Sequence, residues 1–224
     1  MAKFDIELLE GMHYVKATLD NESMQAEAGA LSSMTGAIEM TVKVPSVGRI
    51  VKSYLSEEGF FRPTYTGTGI IFLEASFGGF HVLDVNEETW VLESGSYWAS
   101  EGALNLSAYR EKMWTTFWAG DGLIDWQTKV SGRGKVVIAS AGPLEELTLE
   151  KGKPLVANGK YVVARTADVT YSIRRVTKSY LASYAAGEGH CRVYDGPGRV
   201  LVCYSPYWRH RLFSQDGAMA MAAS

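Results

Sequence analysis

A Gly-x-Gly tripeptide that recurs at a nearly constant interval constrains this chain more than any other feature. It occurs at residues 67–69, 132–134 and 196–198. A second glycine series, Gly29, Gly95 and Gly159, recurs with almost the same spacing. Such self-similarity is the signature of a repeated structural unit. The sequence therefore predicts three units, at about residues 14–79, 80–143 and 144–205, that share one core.

Strand signals dominate the chain. Phe4, Ile6 and Leu8 alternate with polar residues before a turn at residues 10–11, which predicts a hairpin with residues 12–19. Further strand patterns flank the second and third Gly-x-Gly tripeptides. Because glycine reaches positive φ at little steric cost, we expect each tripeptide to form the tip of a β-hairpin. No segment predicts a long helix, so residues 1–205 are expected to be a single all-β domain, followed by a tail at residues 206–224.

The composition narrows the range of functions. The 22 basic and 25 acidic residues give a net charge of −3, whereas affinity for nucleic acid phosphates requires a basic face. No apolar run reaches the roughly 18 residues that a membrane-spanning helix needs, and the first residues lack a hydrophobic signal core. We therefore expect a cytoplasmic protein without a transmembrane segment, and we do not expect nucleic acid to be its partner.

Several stretches resemble one known family. Residues 19–31 resemble the opening signature of the altered-inheritance-of-mitochondria (mitochondrial biogenesis) family, residues 92–100 resemble its middle, and residues 186–189 and 195–201 resemble its end. The resemblance extends from about Leu19 to Ser205. It implies a TRAP-like fold, similar to that of the trp RNA-binding attenuation protein, built from β-sandwich or double-stranded β-helix units present three times. We expect these units in a pseudo-threefold arrangement.

One cluster could in principle hold a metal ion. Its members are His190, Cys191, Cys203 and His210. If residues 196–198 form a hairpin tip, Asp195 pairs with Arg199 and Cys191 faces Cys203 in the same register. A zinc site would need both thiols and two further ligands. The alternative, which we favour, is a pair of buried cysteines that pack as small hydrophobic residues. We therefore predict no metal and no cofactor.

Tryptophans are concentrated in the second unit. They are Trp90, Trp98, Trp114, Trp118 and Trp126. They could line a ligand pocket or form a platform on which bases stack. The alternative is core and cross-strand packing, which favours aromatic residues in any β-rich domain. We favour packing, because lysine and arginine do not interleave densely with these tryptophans.

The segment after the last predicted strand is aromatic and basic. Pro206 cannot donate to a strand ladder, so the sheet is expected to end there. Exposed Tyr, Trp and Arg side chains are common anchors of protein interfaces. The candidate interaction surface is therefore Tyr204, Tyr207, Trp208, Arg209 and Arg211. Its partner would be another protein or a second copy of the chain, and the alternative is a strap over an open end of the barrel.

No catalytic set emerges from the sequence. The Gly-x-Ser-x-Gly elbow of serine hydrolases is absent. Acidic pairs such as Glu57 and Glu58 rarely converge, because neighbouring strand residues point to opposite faces. We predict a non-enzymatic scaffold or protein-interaction protein. The alternative is a small-molecule or nucleic-acid binding module that uses the tryptophan-rich second unit.

Overall fold

The structure, a computed structural model, describes residues 1–42, 62–76, 78–110, 126–158, 161–175 and 190–205. Every regular element in these residues is a β-strand, which confirms the all-β class. The strands are β1 (Lys3–Leu9), β2 (Met12–Ala26), β3 (Leu31–Thr41), β4 (Thr64–Leu73), β5 (Phe80–Asn86), β6 (Trp90–Leu92), β7 (Tyr97–Glu101), β8 (Asn105–Arg110), β9 (Trp126–Ser131), β10 (Arg133–Ala139), β11 (Leu144–Leu149), β12 (Leu155–Asn158), β13 (Val162–Thr166), β14 (Thr170–Arg175), β15 (His190–Asp195) and β16 (Gly198–Cys203).

These strands form three antiparallel sheets. A seven-stranded sheet has the order β3-β4-β2-β7-β10-β5, with β1 added on β2. A six-stranded sheet has the order β11-β16-β13-β6-β9-β8, and a three-stranded sheet has the order β12-β15-β14. Each of three buried hydrophobic clusters contains one of the largest fully buried side chains, which are Tyr65, Trp90 and Tyr194.

The N-terminal hairpin forms as predicted. β1 pairs with β2 in an antiparallel register that places Leu9 opposite Met12. The two residues of the turn, Glu10 and Gly11, have φ angles of 50° and 83°. Positive φ at both central positions is what a tight turn between twisted strands requires.

The three Gly-x-Gly tripeptides are not hairpin tips, so that prediction was wrong. Residues 67–69 lie inside the continuous strand β4. Residues 132–134 and 196–198 lie where the chain leaves one sheet and enters another, since β9 and β10 belong to different sheets, as do β15 and β16. Close approach explains the glycines: a Cβ on Gly69 would lie 2.1 Å from the Thr35 carbonyl oxygen, and one on Gly198 would lie 2.4 Å from Thr166 Oγ1.

The register inferred from a hairpin at residues 196–198 is wrong for the same reason. Asp195 pairs with Thr170 and not with Arg199. Cys191 lies on β15, which pairs with β12 and β14, whereas Cys203 lies on β16, which pairs with β11 and β13. The two cysteines are therefore not cross-strand neighbours, and both are buried as thiols. Within the described ranges, no group of three or more His, Cys, Asp or Glu side chains could hold a metal ion.

The strand pairings of residues 80–139 recur in residues 144–203. β10 lies between β5 and β7, as β16 lies between β11 and β13. β9 lies between β6 and β8, as β15 lies between β12 and β14. In residues 12–73 three longer strands are arranged in the same way, with β4 between β2 and β3. We call these the first, middle and last segments of the chain.

One antiparallel pairing joins each segment to the next. The C-terminal end of β2 pairs with β7, which joins the first segment to the middle one. In the same way β6 pairs with β13, which joins the middle segment to the last. At both junctions, therefore, the strand that precedes the repeated glycine of one segment (Gly29 or Gly95) pairs with the strand that follows the repeated glycine of the next segment (Gly95 or Gly159).

Candidate functional site

Of the predicted interaction surface, Tyr204 lies within the described part of the chain. The other four members, Tyr207, Trp208, Arg209 and Arg211, lie outside it. Tyr204 follows β16 directly and is exposed. A hydrogen bond with Glu145 on β11 is the main reason why the pKa of its phenol is raised. The structure thus places one aromatic side chain of this surface in solvent at an edge of the six-stranded sheet.

The tryptophans that can be placed do not form an exposed row. Trp90 is fully buried, and the guanidinium carbon of Arg199 lies 5.0 Å from the centre of its ring. Trp98 is half-buried, with its ring centroid 5.6 Å from that of Phe80. Trp114, Trp118 and the side chain of Trp126 lie outside the described part of the chain. Trp90 and Trp98 therefore serve packing, the interpretation that the sequence favoured.

A buried charged cluster joins the middle segment to the last, and sequence reasoning missed it. It consists of Glu93 after β6, Gln127 on β9 and Arg192 on β15. Arg192 Nη1 donates a hydrogen bond to Glu93 Oε1 at 3.0 Å, and Gln127 Nε2 donates to the same oxygen at 2.9 Å. We call these three residues the junction cluster. The carboxylate is held by donors from two segments, so it ties their strands together.

The ring of Tyr171 lies beside the junction cluster, between two arginines. The guanidinium carbons of Arg192 and Arg165 lie 5.3 and 5.4 Å from the centre of the Tyr171 ring. Arg165 Nη1 also donates a hydrogen bond to the Val169 carbonyl oxygen at 3.1 Å. Burial raises the pKa of Tyr194 to about 12, and Glu93 adds to this, whereas Arg192 opposes it. The environment is therefore dry enough to disfavour a phenolate.

A related contact lies at the junction of the first and middle segments. Arg62 Nη2 donates a hydrogen bond to Thr128 Oγ1 at 2.8 Å, and Arg62 Nε lies 3.4 Å from Glu27 Oε2. The Arg62 guanidinium carbon also lies 4.3 Å from the centre of the Tyr97 ring, and burial raises the pKa of that phenol.

The two junction glutamates occupy matching places in the glycine series. Glu27 stands in the tripeptide Glu27-Ala28-Gly29, and Glu93 stands in Glu93-Ser94-Gly95. Each therefore precedes its repeated glycine by the same interval. That shared placement is the sequence signal that could have revealed both acidic residues.

The role of these junction contacts is to hold the strands of neighbouring segments in position. A buried ion pair contributes little net stability, but breaking it leaves an uncompensated charge, which is costly. Such pairs therefore favour one arrangement of the strands that carry them over all others. Glu93 Oε1 accepts hydrogen bonds from Gln127 of the middle segment and from Arg192 of the last segment. It therefore helps to hold these two segments in one relative arrangement.

Among the described strands that end a sheet, β3 and β12 are distinctive because their counterparts in the middle segment, β7 and β6, have a neighbouring strand on both sides. β3 ends the seven-stranded sheet, and among the described strands it pairs with β4 alone. Its side chains are mostly exposed, whereas β7 and β13, the strands in the matching position, are almost entirely buried. β12 ends the three-stranded sheet, where Val156 is exposed. We refer to β3 and β12 as the open edges.

Comparison with known proteins identifies relatives of the whole domain. The family described as Mitochondrial biogenesis AIM24 matches residues 6–203. A crystal structure of a Streptococcus pyogenes protein from a structural genomics consortium aligns with a TM-score of 0.72 at 20% identity, covering 93% of this chain and 96% of that one. This likeness shows a shared fold. No curated protein matches the chain. The described residues contain no helix that is long and apolar enough to cross a membrane.

Proposed function

This chain belongs to the mitochondrial biogenesis AIM24 family, and from that premise we propose that it is a non-enzymatic scaffold that works by binding protein. The observation that carries the proposal is the exposed edge of β3. An edge strand presents a row of backbone donors and acceptors on which a strand of another chain can add. Main-chain hydrogen bonds then supply affinity, and side-chain contacts supply specificity.

The side chains of β3 support this role. Proteins commonly protect an edge strand with lysine, proline or inward-pointing charges, which discourage pairing with another chain. Over Leu31–Thr41 the only charged residue is Glu39, and there is no proline. Met34 and Met40 are both exposed on this strand. The β3 edge therefore has the composition of a pairing surface.

We also propose that the scaffold consists of three TRAP-like units in a pseudo-threefold arrangement, which stays open between β12 of the last unit and β3 of the first because these strands are not paired with each other among the described residues. The recurrence of strand pairings in the three segments supports this arrangement. Positive φ angles at Asn21, Glu87 and Gly152, which are spaced nearly as the glycine series is, support the same register. The Glu93–Arg192 pair would hold neighbouring units in a fixed orientation, as a scaffold requires.

The proposal is tested by blocking the edge without disturbing the core. Met34→Lys places a charge on the exposed edge, and Leu8→Lys places the same charge on the exposed tip of the N-terminal hairpin as a matched control. Proteins captured by each variant in the native host are identified by mass spectrometry after chemical cross-linking. We expect the wild-type chain and Leu8→Lys to retain a common set that Met34→Lys loses. Identical sets for all three proteins would contradict binding through β3.

A further inference from the structure

We propose that the open edges of β3 and β12 pair with each other between two copies of this chain, so that the protein assembles head to tail. The proposal rests on the proposed function, because it names a second copy as the partner of the β3 edge. Inside the chain, the counterparts of these two strands are already paired at both junctions.

The two internal junctions each consist of three residue pairs. At the first, the pairs are Met24 with Glu101, Gln25 with Ser100 and Ala26 with Ala99. At the second, the pairs are Trp90 with Thr166, Val91 with Arg165 and Leu92 with Ala164.

The central pairs of the two junctions occupy equivalent positions in the repeat. Gln25 precedes Gly29 by the same interval as Val91 precedes Gly95. On the partner strands, Ser100 lies opposite the residue two places after the second Gly-x-Gly tripeptide, and Arg165 lies opposite the residue two places after the third. The two junctions therefore share one register.

The neighbouring strands fix which residue of β3 is equivalent. Ser100 lies opposite Val136, and Arg165 lies opposite Val200. In the first segment Met34 lies opposite Ile71, which follows the first Gly-x-Gly tripeptide as closely as Val136 follows the second. Met34 is therefore the residue of β3 that corresponds to the centre of a junction.

The same reasoning fixes the residue of β12. Val91 lies opposite Lys129 on β9, and Val156 lies opposite Val193 on β15. Lys129 precedes the second Gly-x-Gly tripeptide by the same interval as Val193 precedes the third. Val156 is therefore the counterpart of Val91.

These equivalences define how the two edges would meet. In the register of the internal junctions, Met34 of one copy faces Val156 of the other. Thr35 then lies against Leu155 on one side of this pair, and Ser33 lies against Ala157 on the other.

Exposure singles out the same two residues. Ser100 and Val91, which occupy these positions inside the chain, are 0% and 3% exposed, whereas Met34 and Val156 are 41% and 58% exposed. Met34 and Val156 both have apolar side chains, and the proposed pairing would cover each of them with the other. The facing stretches, residues 33–35 and 155–157, carry no charge, so no like charges oppose their approach.

The use of two different edges determines which type of assembly the copies can form. β3 and β12 end different sheets of one chain and are not paired with each other among the described strands. A contact between two different surfaces is heterologous, so each added copy leaves one edge of each kind available. Copies joined in this way form a closed ring or a growing filament rather than a symmetric pair.

Complementary edge variants test the proposal directly. Met34→Lys blocks the β3 edge, and Val156→Lys blocks the β12 edge. The wild-type chain is expected to show a mass that rises with concentration in analytical ultracentrifugation, whereas each variant alone stays at the mass of one chain. A one-to-one mixture still contains one intact edge of each kind, so its mass is expected to double and stop there.

Other outcomes overturn the proposal. A wild-type chain that stays monomeric at every concentration, a mixture that does not double in mass, or a single variant that assembles like the wild type would each do so. Leu8→Lys must assemble normally, and circular dichroism must show that all variants fold. If the wild type is monomeric while Met34→Lys still loses its captured proteins, self-assembly fails and the proposed function stands. If neither changes, both fail.

Discussion

Arg192 Nη1 lies 3.0 Å from Glu93 Oε1, and the two side chains, on different segments of the chain, are only 5% and 8% exposed. Gln127, from the same segment as Glu93, donates to the same carboxylate oxygen. The partners of a single buried carboxylate therefore depend on whether the last segment is docked on the middle one. This makes Glu93 the best place to measure how the segments depend on each other.

Removing the arginine should be strongly destabilising. Arg192→Ala leaves the Glu93 carboxylate buried without its cationic partner, and we expect the free energy of unfolding to fall by about 3–5 kcal/mol. Urea denaturation followed by tryptophan fluorescence measures this change. A loss within the error of the measurement would mean that the carboxylate is solvated or that the last segment does not dock there.

Two controls separate buried charge from charge in general. Lys153→Ala removes an ion pair with Glu150 in which the side chains are 76% and 69% exposed, and it should change stability by no more than about 1 kcal/mol. The double variant Glu93→Leu with Arg192→Met replaces both charges with apolar groups. It should recover most of the stability that Arg192→Ala loses, because neither charge of this pair is left buried without the other.

Alkaline pH should unfold the protein partly through Tyr194. Burial raises the pKa of this phenol from 10 to about 12, so between these values the folded state keeps a proton that the unfolded state has lost. The contribution of Tyr194 to stability is complete below pH 10 and is lost as the pH rises toward 12. The expected slope is about −1.4 kcal/mol per pH unit in this window.

Tyr194→Phe tests this assignment. Urea midpoints measured across the alkaline range should fall less steeply for this variant than for the wild-type chain, because one linked proton is gone. Tyr204→Phe is the comparison variant: that phenol is exposed, and solvent weakens the hydrogen bond with Glu145 that raises its pKa, so its removal should change the slope less than removal of Tyr194 does. Equal slopes for the wild type and Tyr194→Phe would show that Tyr194 ionises as readily in the folded state as in the unfolded one.

The glycines of the two repeated series should differ in their tolerance of alanine. A Cβ on Gly69 would lie 2.1 Å from the backbone oxygen of Thr35, which cannot move without shifting β3, and we expect a loss of at least about 3 kcal/mol for Gly69→Ala. Gly95 has a φ of +75° but no atom within 4 Å of its Cβ position, so Gly95→Ala should cost only the strain, about 1–2 kcal/mol. Thermal unfolding of both variants measures the difference, and equal losses would contradict the close approach.

The repeated glycines predicted how the segments are spaced along the chain, but they did not predict which strands lie next to each other. They indicated the spacing of the segments, because turns, bulges and close strand crossings recur wherever a strand pattern recurs. They could not distinguish a hairpin tip from a crossing, since glycine is favoured both where φ is positive and where another backbone approaches closely. The structure shows that Gly69 and Gly198 are needed because atoms of Thr35 and Thr166, respectively, lie where a Cβ atom would be.

The repeated placement of Glu27 and Glu93 before a glycine could have drawn attention to the two glutamates, but strand patterns alone could not show that their charges are paired. Charged residues are almost never fully buried unless they are paired, so a glutamate beside a short strand is expected to face solvent. Glu93 and Arg192 become partners only when distant segments pack together, and no local signal links them. The open edges were hidden for a related reason: Met34 stands out only because its counterpart Ser100 is covered by a neighbouring strand.

The most direct test of head-to-tail pairing is a disulfide between the two proposed neighbours. The double variant Met34→Cys with Val156→Cys is prepared with and without ¹⁵N labelling, mixed before oxidation, and digested for mass spectrometry. Both natural cysteines are buried and serve as internal controls. Pairing between copies predicts cross-linked peptides that join a labelled to an unlabelled chain. Cross-links confined to peptides of the same chain, or no cross-link at this pair, would contradict it.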